Sequence, residues 1–347
     1  MGKRIVFMGA GAVGGYVGGH LARSGEDVTL IDPWPEHIEF INQKGLHLSG
    51  TQGEHIVRVK ALHLHEVQGL YKQPVDVAFI CPKSYDTEWM TMMIRQYLAP
   101  DGFVVSLQNS INEERIANIV GWGRVVGCIA SMIGVDAIKA GHVIRTVQPG
   151  GSGHTVFRVG EVHGRITPRV QELAQMLCAV DSAKVTTNLW GERWTKLTQN
   201  SMVNGISACT GMNSKAMVAW ETSRRVFIRL AGEAIRIGHA LGYELEPIRG
   251  LRPERWVAAA AGEPAAMEAV ESALLGAMTR MTDEGRPSTG QDMLKGRRTE
   301  IDFINGLVAA KGEVVGIPAP TNAALTQLVK RVERGEIEAN PRNIETL

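Results

Sequence analysis

Four cysteines are spread over 347 residues, and no two of them form a C-x-x-C pair. That excludes a disulfide framework and a thiolate metal site as organising features. Cys81, Cys128, Cys178 and Cys209 fit reduced, mostly buried thiols, and no neighbour in sequence would activate any of them as a nucleophile. An excess of charge of either sign is also missing: 37 Lys and Arg stand against 36 Asp and Glu, a formal net charge of +1. Without a long basic run, binding to nucleic acid by phosphate neutralisation is excluded. The pairs Arg224-Arg225 and Arg297-Arg298 are read as surface charge or small-anion contacts. No apolar stretch approaches the roughly 18 residues needed to span a bilayer. Met1-Gly2-Lys3-Arg4 leads straight into a strand with no apolar signal region, and Val6 breaks the N-myristoylation pattern. The expectation is a cytoplasmic protein with neither a nucleic-acid nor a membrane partner. No metal is expected either: His63 and His65 project from one side of a possible strand but have no third ligand nearby.

What is present is ordinary in bulk and specific in pattern. Hydrophobic residues make up 44% and charged residues 21%, and the length suits two domains. Ile5-Val6-Phe7-Met8 reads as a buried parallel strand, followed by a helix over about 13–24 that Gly25 closes. Val28–Ile31, Val75–Cys81, Phe103–Leu107 and Val125–Ala130 continue the apolar runs, mostly with helical stretches between them. This alternation predicts an α/β fold, with a Rossmann-type doubly wound sheet domain over 1–186. The segments 142–148 and 155–160 read as antiparallel additions joined by the turn Pro149-Gly150-Gly151-Ser152-Gly153. A C-terminal all-α domain is predicted over 187–347, with helices at about 190–210, 214–241, 264–283, 289–312 and 321–334. The stretch 246–264, interrupted by Pro and Gly, reads as a loop or cap.

Gly9-Ala10-Gly11-Ala12-Val13-Gly14 matches G-x-G-x-x-G between a strand and a helix, the context in which the motif binds a dinucleotide. The first glycine makes the tight turn, the second admits a pyrophosphate to the backbone, and the third lets the helix pack on the strand. The helix N-terminus offers free N–H groups and a partial positive charge to the diphosphate. Asp32 ends the second strand, 23 positions after Gly9. A carboxylate there accepts hydrogen bonds from the adenosine ribose and repels a 2′-phosphate, favouring NAD(H). No Arg or Lys occurs from Asp32 to Gln43. The alternative role of Asp32 is to cap the next helix as the Ncap of an Asp32-Pro33 start, and the two roles are compatible.

Lys196, Asn200 and Asn204 recur every four residues, which on a helix lines up a cation and two carboxamides on one face. Leu197, Met202 and Val203 supply the apolar face. The stripe is either a solvated helix face or the wall of a cleft. As a wall it suits a carbonyl or hydroxyl substrate, since Lys gives up a proton while Asn both donates and accepts.

With these elements in place the sequence resembles the ketopantoate reductase family, whose motifs fall in order over essentially the whole chain. They are the glycine turn, Cys81-Pro82-Lys83, Leu107-Gln108-Asn109-Ser110, Lys196-Leu197 with Asn200 and Asn204, and Ser288-Thr289-Gly290-Gln291-Asp292. The most specific is Arg298-Thr299-Glu300-Ile301-Asp302-Phe303-Ile304-Asn305-Gly306. The resemblance implies a 6-phosphogluconate-dehydrogenase-like arrangement of the domains and reduction of 2-dehydropantoate to pantoate. It implies Lys196 as the general acid, Glu300 holding the substrate hydroxyl and orienting the lysine, and Ser288 binding the carboxylate. Asn200 and Asn204 would contact the substrate's polar groups. Asn109 would sit where nicotinamide ribose and substrate meet, and Lys83 near the cofactor. Read without the resemblance, Glu300 is an exposed helix acid paired with Arg297, Ser288 an N-cap, Lys83 a surface lysine and Asn109 a turn residue.

The chain departs from the family pattern at three places. NADP(H) is the family norm, with a basic residue near the end of the second strand, where this chain has Asp32-Pro33. Gly205-Ile206-Ser207 follows the second asparagine in place of a Pro-Leu-Thr type sequence, and the 246–281 region reads as longer. Three readings follow: a ketopantoate reductase, an NAD-preferring paralogue acting on another 2-oxo or 2-hydroxy acid, and a non-catalytic dinucleotide sensor. Retention of Lys196 with Glu300 argues against the sensor. A homodimer through the helical domain is the expected assembly.

Overall fold

β-branched and aromatic runs such as Ile5-Val6-Phe7 and Val77-Ala78-Phe79-Ile80 are fully buried in the computed structural model, as strands covered on both faces require. The structure describes residues 2–151, 153–281, 283 and 285–347. Met1, Ser152 of the predicted glycine-rich turn and Thr282 near the end of the helix predicted over 264–283 therefore lie outside the described residues. The chain divides into two compact units, Met1–Leu189 and Trp190–Leu347.

The first unit opens with β1 (Arg4–Met8), α1 (Ala12–Arg23), β2 (Asp27–Ile31) and α2 (Pro35–Lys44). Short strands β3 (Leu46–Gly50), β4 (His55–Val57) and β5 (Lys60–Leu62) follow. Then come β6 (Val75–Ile80), α3 (Thr87–Arg95), β7 (Leu98–Ser106), α4 (Glu113–Val120) and β8 (Val125–Ala130). The unit ends with β9 (Val135–Lys139), β10 (His142–Arg145), β11 (Phe157–Glu161), α5 (Pro168–Leu177) and β12 (Ala183–Val185). An eight-stranded sheet runs in the order β12-β11-β8-β7-β6-β1-β2-β5. Its pairings are parallel except β11 against β8. The order reverses between β1 and β6, which makes that point the topological switch of a Rossmann-type sheet.

A second, four-stranded sheet, β4-β3-β10-β9, differs from the sequence expectation. Of the two predicted antiparallel additions, β11 joins the main sheet, while β10 pairs parallel with β3 and antiparallel with β9. The paired glycines of α1 account for this. A Cβ on Gly18 would meet Leu30 at 2.7 Å on the main sheet, and one on Gly19 would meet Leu46 at 2.8 Å on the small sheet. Absence of side chains at both positions lets α1 lie between the two sheets. The buried Arg145 of β10 donates to Asp181 at 2.5 Å, and Asp181 in turn accepts from the Gly150 N–H, fixing the β10–β11 connection. His63 caps a 3₁₀ turn that starts just after β5, so no strand carries His63 and His65 outward together.

The second unit is helical: α6 (Leu189–Thr210), α7 (Ser214–Ala219), α8 (Glu221–Ala240), α9 (Pro253–Ala260), α10 (Pro264–Gly276), α11 (Ser288–Leu294), α12 (Asn305–Val315) and α13 (Pro320–Glu333). The helix predicted over 214–241 is broken at Trp220, which is extended at φ −86°, ψ 121°. Arg224 stabilises the break by donating to the terminal carbonyls of Val218 and Ala219, each at 2.9 Å. The stretch expected as a loop contains α9, because Pro253 occupies the first helical turn, where its missing N–H costs nothing. Trp256 then anchors α9 with its ring fully buried. The helix predicted over 289–312 divides into α11 and α12, since Gly296 at φ 62° ends the first. Among the described residues no helix is long and apolar enough to cross a membrane.

Candidate active site

Every predicted site residue of the first unit lies beyond the C-terminal end of one of four adjacent strands, β7, β6, β1 and β2. The glycine turn follows β1, Asp32 follows β2, Lys83 lies after β6 and Asn109 after β7. In open α/β sheets ligands bind outside this edge, at the switch point. The glycines of the turn are needed for different reasons. Gly9 has φ 93°, and a Cβ there would meet the Pro82 nitrogen at 2.9 Å. A Cβ on Gly14 would lie 2.0 Å from the Gly9 carbonyl oxygen and 3.0 Å from Cys81 Cβ, so this glycine is required for helix packing. Gly11 has a negative φ, and no described atom lies within 4 Å of its Cβ position. No contact among the described residues requires glycine there. The open space fits a backbone cradle for a dinucleotide pyrophosphate, with Ala12 and Val13 opening α1 behind it.

Asp32 is built into this turn. Its Oδ2 accepts from the Ala10 N–H at 2.8 Å and its Oδ1 from the Trp34 N–H at 3.0 Å. Helix α2 starts at Pro35 with Trp34 as its N-cap, so an Asp32-Pro33 helix start does not occur. Burial raises the Asp32 pKa, opposed by the Trp34 N–H, the His37 charge and the Ala10 N–H. His37, fully buried, holds the carbonyl of the same residue, in the next peptide unit. Its Nδ1 accepts from the Gly141 N–H at 2.9 Å, which leaves the proton on Nε2 to donate to the Ala10 carbonyl at 3.0 Å. Burial lowers the His37 pKa, with the Asp32 charge acting against it. Nothing in the sequence reading assigned His37 a role. Its position five residues beyond Asp32, on the inner face of α2, was the available signal.

Lys83 and Asn109 lie on two loops tied to each other. Gln108 Nε2 donates to the Pro82 carbonyl at 2.7 Å and to Thr87 Oγ1 at 2.9 Å. Asn112 Nδ2 donates to Ser84 Oγ at 3.2 Å and to the Asn109 carbonyl at 2.9 Å. Arg115 closes the frame by donating to the Ser84 carbonyl at 2.6 Å. Lys83 is the N-cap of a short 3₁₀ turn, Ser84–Asp86. Ser110, next to Asn109, has φ 69°, an uncommon conformation for a residue with a side chain. Burial pushes the Cys81 thiol well up, which suits a packing residue rather than a nucleophile.

In the second unit Lys196, Asn200 and Asn204 all lie on α6. Lys196 and Asn200 are half-buried and Asn204 is buried, so the stripe is not a solvated face. Asn200 Nδ2 is buried and has no hydrogen-bond acceptor among the described residues. Both remaining site segments dock on the C-terminal half of this helix. A Cβ on Gly290, two residues after Ser288, would meet Ser207 Oγ at 2.3 Å, so α11 lies directly against α6. A Cβ on Gly205 would meet Leu325 at 2.9 Å and Ile301, the residue after Glu300, at 3.0 Å. Glu300 precedes a 3₁₀ turn, Ile301–Phe303, and is only 4% exposed, which rules out the exposed helix acid. Ser288 is the first residue of α11 behind Pro287, so Pro287, not Ser288, occupies the N-cap. Among the described residues no group of three or more His, Cys, Asp or Glu is placed to hold a metal ion.

Comparison with known proteins identifies the family and the fold. The family described as Ketopantoate reductase PanE/ApbA matches residues 5–159, and its C-terminal counterpart matches residues 188–333. A 2-dehydropantoate 2-reductase from Archaeoglobus fulgidus is 30% identical over 339 residues, covering 96% of this chain and 99% of that protein. One from Mesorhizobium japonicum is 30% identical over 352 residues, covering 96% and 99%. Among solved structures, a PanE/ApbA family ketopantoate reductase from Ralstonia eutropha JMP134 superposes with a TM-score of 0.78 at 27% identity, covering 96% of this chain and 99% of that one. A D-mandelate dehydrogenase solved with NADH and anilino(oxo)acetate shares the fold, with a TM-score of 0.79 at 23% identity over 96% of this chain and 98% of that one. The chain belongs to the ketopantoate reductase family and is a nicotinamide-dependent oxidoreductase.

Proposed function

We propose that the protein reduces 2-dehydropantoate to pantoate, with NADH as the preferred hydride donor and Lys196 as the general acid. The names of the full-length relatives support the substrate. The observation that carries the site is the α6 stripe, where a buried carboxamide donor on Asn200, four residues beyond a lysine, has no acceptor among the described residues. A buried donor left unsatisfied costs about 1–3 kcal/mol, a cost that a hydrogen-bonding ligand removes.

A bound dihydronicotinamide supplies the hydride. Gly9, Ala10, Gly11, Ala12, Val13 and Gly14 hold its diphosphate, Asp32 its adenosine ribose, and Lys83 and Asn109 the nicotinamide half. As negative charge grows on the C2 oxygen, the Lys196 ammonium stabilises it and passes one proton from Nζ to that oxygen. The neutral amine left behind regains a proton from solvent. Glu300 accepts the substrate hydroxyl and orients Lys196, Ser288 binds the carboxylate, and Asn200 with Asn204 fixes the remaining polar groups. Asp32 supports NADH, because its carboxylate, held by two backbone amides, would oppose a 2′-phosphate.

Asp32 also favours a second reading, an NADH-dependent reductase of a different 2-oxo acid. Steady-state oxidation of NADH and of NADPH with 2-dehydropantoate and a panel of other 2-oxo acids separates the two. Turnover confined to another acid sinks the first reading, and no turnover with any of them sinks both.

A further inference from the structure

Asn305 is fully buried at the start of α12, four residues after Ile301 in the segment that carries Glu300. Its Nδ2 donates to the Ser201 carbonyl of α6 at 2.9 Å and to Asn322 Oδ1 at 2.9 Å. Both partners are acceptors, so the orientation of this amide is fixed by its surroundings. Asn322, also fully buried, passes the polarity on: its Nδ2 donates to Glu233 Oε2 at 2.7 Å. Glu233, on α8, further accepts the Thr321 and Asn322 backbone N–H groups at 2.9 and 3.0 Å, which places a carboxylate at the N-terminus of α13. The chain of bonds therefore runs from the α8 carboxylate through two asparagines to the backbone of α6, one residue beyond Asn200.

The contact point lies one helical turn from a close approach of these elements. Gly205 leaves room for Ile301 and Leu325 against α6, and Ser201 lies one turn before it. Apolar contact alone would let the 300–305 segment slide along α6, whereas a directional bond to one carbonyl fixes its register. Asn305 Oδ1 is buried with no partner among the described residues, a cost that packing alone does not explain. We propose that Asn305, held by Asn322 and Glu233, is a positioning residue that sets Glu300 against the Lys196–Asn200 stripe. It touches neither substrate nor cofactor and acts through Glu300.

The inference rests on the roles proposed above for Lys196 and Glu300, and a double-mutant cycle in the full-length protein separates it from them. Asn305→Ala should lower kcat for 2-dehydropantoate by about 10–100-fold, the scale of a misplacement near 1 Å. The KM for NADH should stay within about twofold, because the cofactor residues are untouched. In a Glu300→Gln background the same change should cost less than about twofold, because the residue being positioned is already disabled. Equal losses in both backgrounds, or wild-type kcat in a folded Asn305→Ala, would overturn the proposal. Asn305→Ser, which keeps a hydroxyl donor on a shorter arm, takes the same cycle if the alanine variant does not fold. If Lys196→Ala and Glu300→Gln are themselves fully active, the underlying reading fails instead.

Discussion

The backbone N–H of Ala10, inside the glycine turn, donates to Asp32 Oδ2 at 2.8 Å. The residue that would select the cofactor thus also holds the turn that would cradle it. One negative group opposing another costs about 1–4 kcal/mol at 4 Å, between the limits of bulk water and protein surface. With a tenfold change for each 1.4 kcal/mol, kcat/KM for NADH should exceed that for NADPH by about fivefold or more. Asp32→Asn removes the charge, keeps one acceptor oxygen and should narrow the ratio. A wild-type enzyme that prefers NADPH would show that Asp32 serves the turn alone.

Gly11 and Gly14 look alike in the motif but should respond differently to the same substitution. Gly14→Ala forces a Cβ onto the Gly9 carbonyl, and such overpacking costs about 1–3 kcal/mol, visible as a lower Tm. Gly11→Ala meets no described atom, so the stability cost should be limited to the loss of a glycine N-cap, about 1 kcal/mol or less. Its KM for the dinucleotide should instead rise by about tenfold or more, because the methyl occupies the diphosphate's place. Unchanged cofactor kinetics in Gly11→Ala would show that the open space is not used.

Lys196 is tested by two replacements. Lys196→Ala should lower kcat by about 10²–10⁴-fold, the usual contribution of a positioned acid. Lys196→Arg keeps the charge, but a guanidinium does not give up its proton, so it should recover little of the loss. An alanine variant with full kcat removes the lysine from the mechanism. An arginine variant as fast as wild type would reduce its role to electrostatics.

How far these sites were legible depends on whether the controlling interaction was local in sequence. The turn at Gly9–Gly14 was readable because a strand, three glycines and a helix start are contiguous. So were β1, β2, β6, β7 and β8, whose buried runs are nearly continuous, but not the short edge strands β5 and β12, which carry mostly half-buried or exposed residues. The α6 stripe was readable as a spacing, yet the segments that dock on the same helix at Gly205 and Ser207 lie roughly 80 to 120 positions away in sequence. The 289–312 region looked like one helix because its apolar periodicity continues through the break. What breaks it is Gly296 at positive φ, and Thr299, just before Glu300, then donates its N–H to Glu333 at the end of α13 at 2.5 Å. The β3–β10 pairing of the small sheet and the Glu233–Asn322–Asn305 chain involve partners 17 to 104 positions apart, beyond any local pattern.

His20, on α1, supplies a prediction for acid stability that is independent of catalysis. It is 4% exposed, and burial, reinforced by Arg23, His55 and Arg145, lowers its pKa to about 4 from 6.5. Between those values the unfolded chain binds the proton and the folded protein does not, so stability falls as pH falls. The neutral ring's contribution is complete above pH 6.5 and is lost progressively as pH drops through that value towards 4. The shift corresponds to about 3 kcal/mol as an order of magnitude. His20→Leu keeps an apolar side chain against Tyr16 and cannot be protonated. Urea melts at pH 7.5 and 5 should therefore show a smaller loss of unfolding free energy for His20→Leu than for the wild type. Equal losses in the two proteins would mean that protonation elsewhere, not at His20, controls the acid limb.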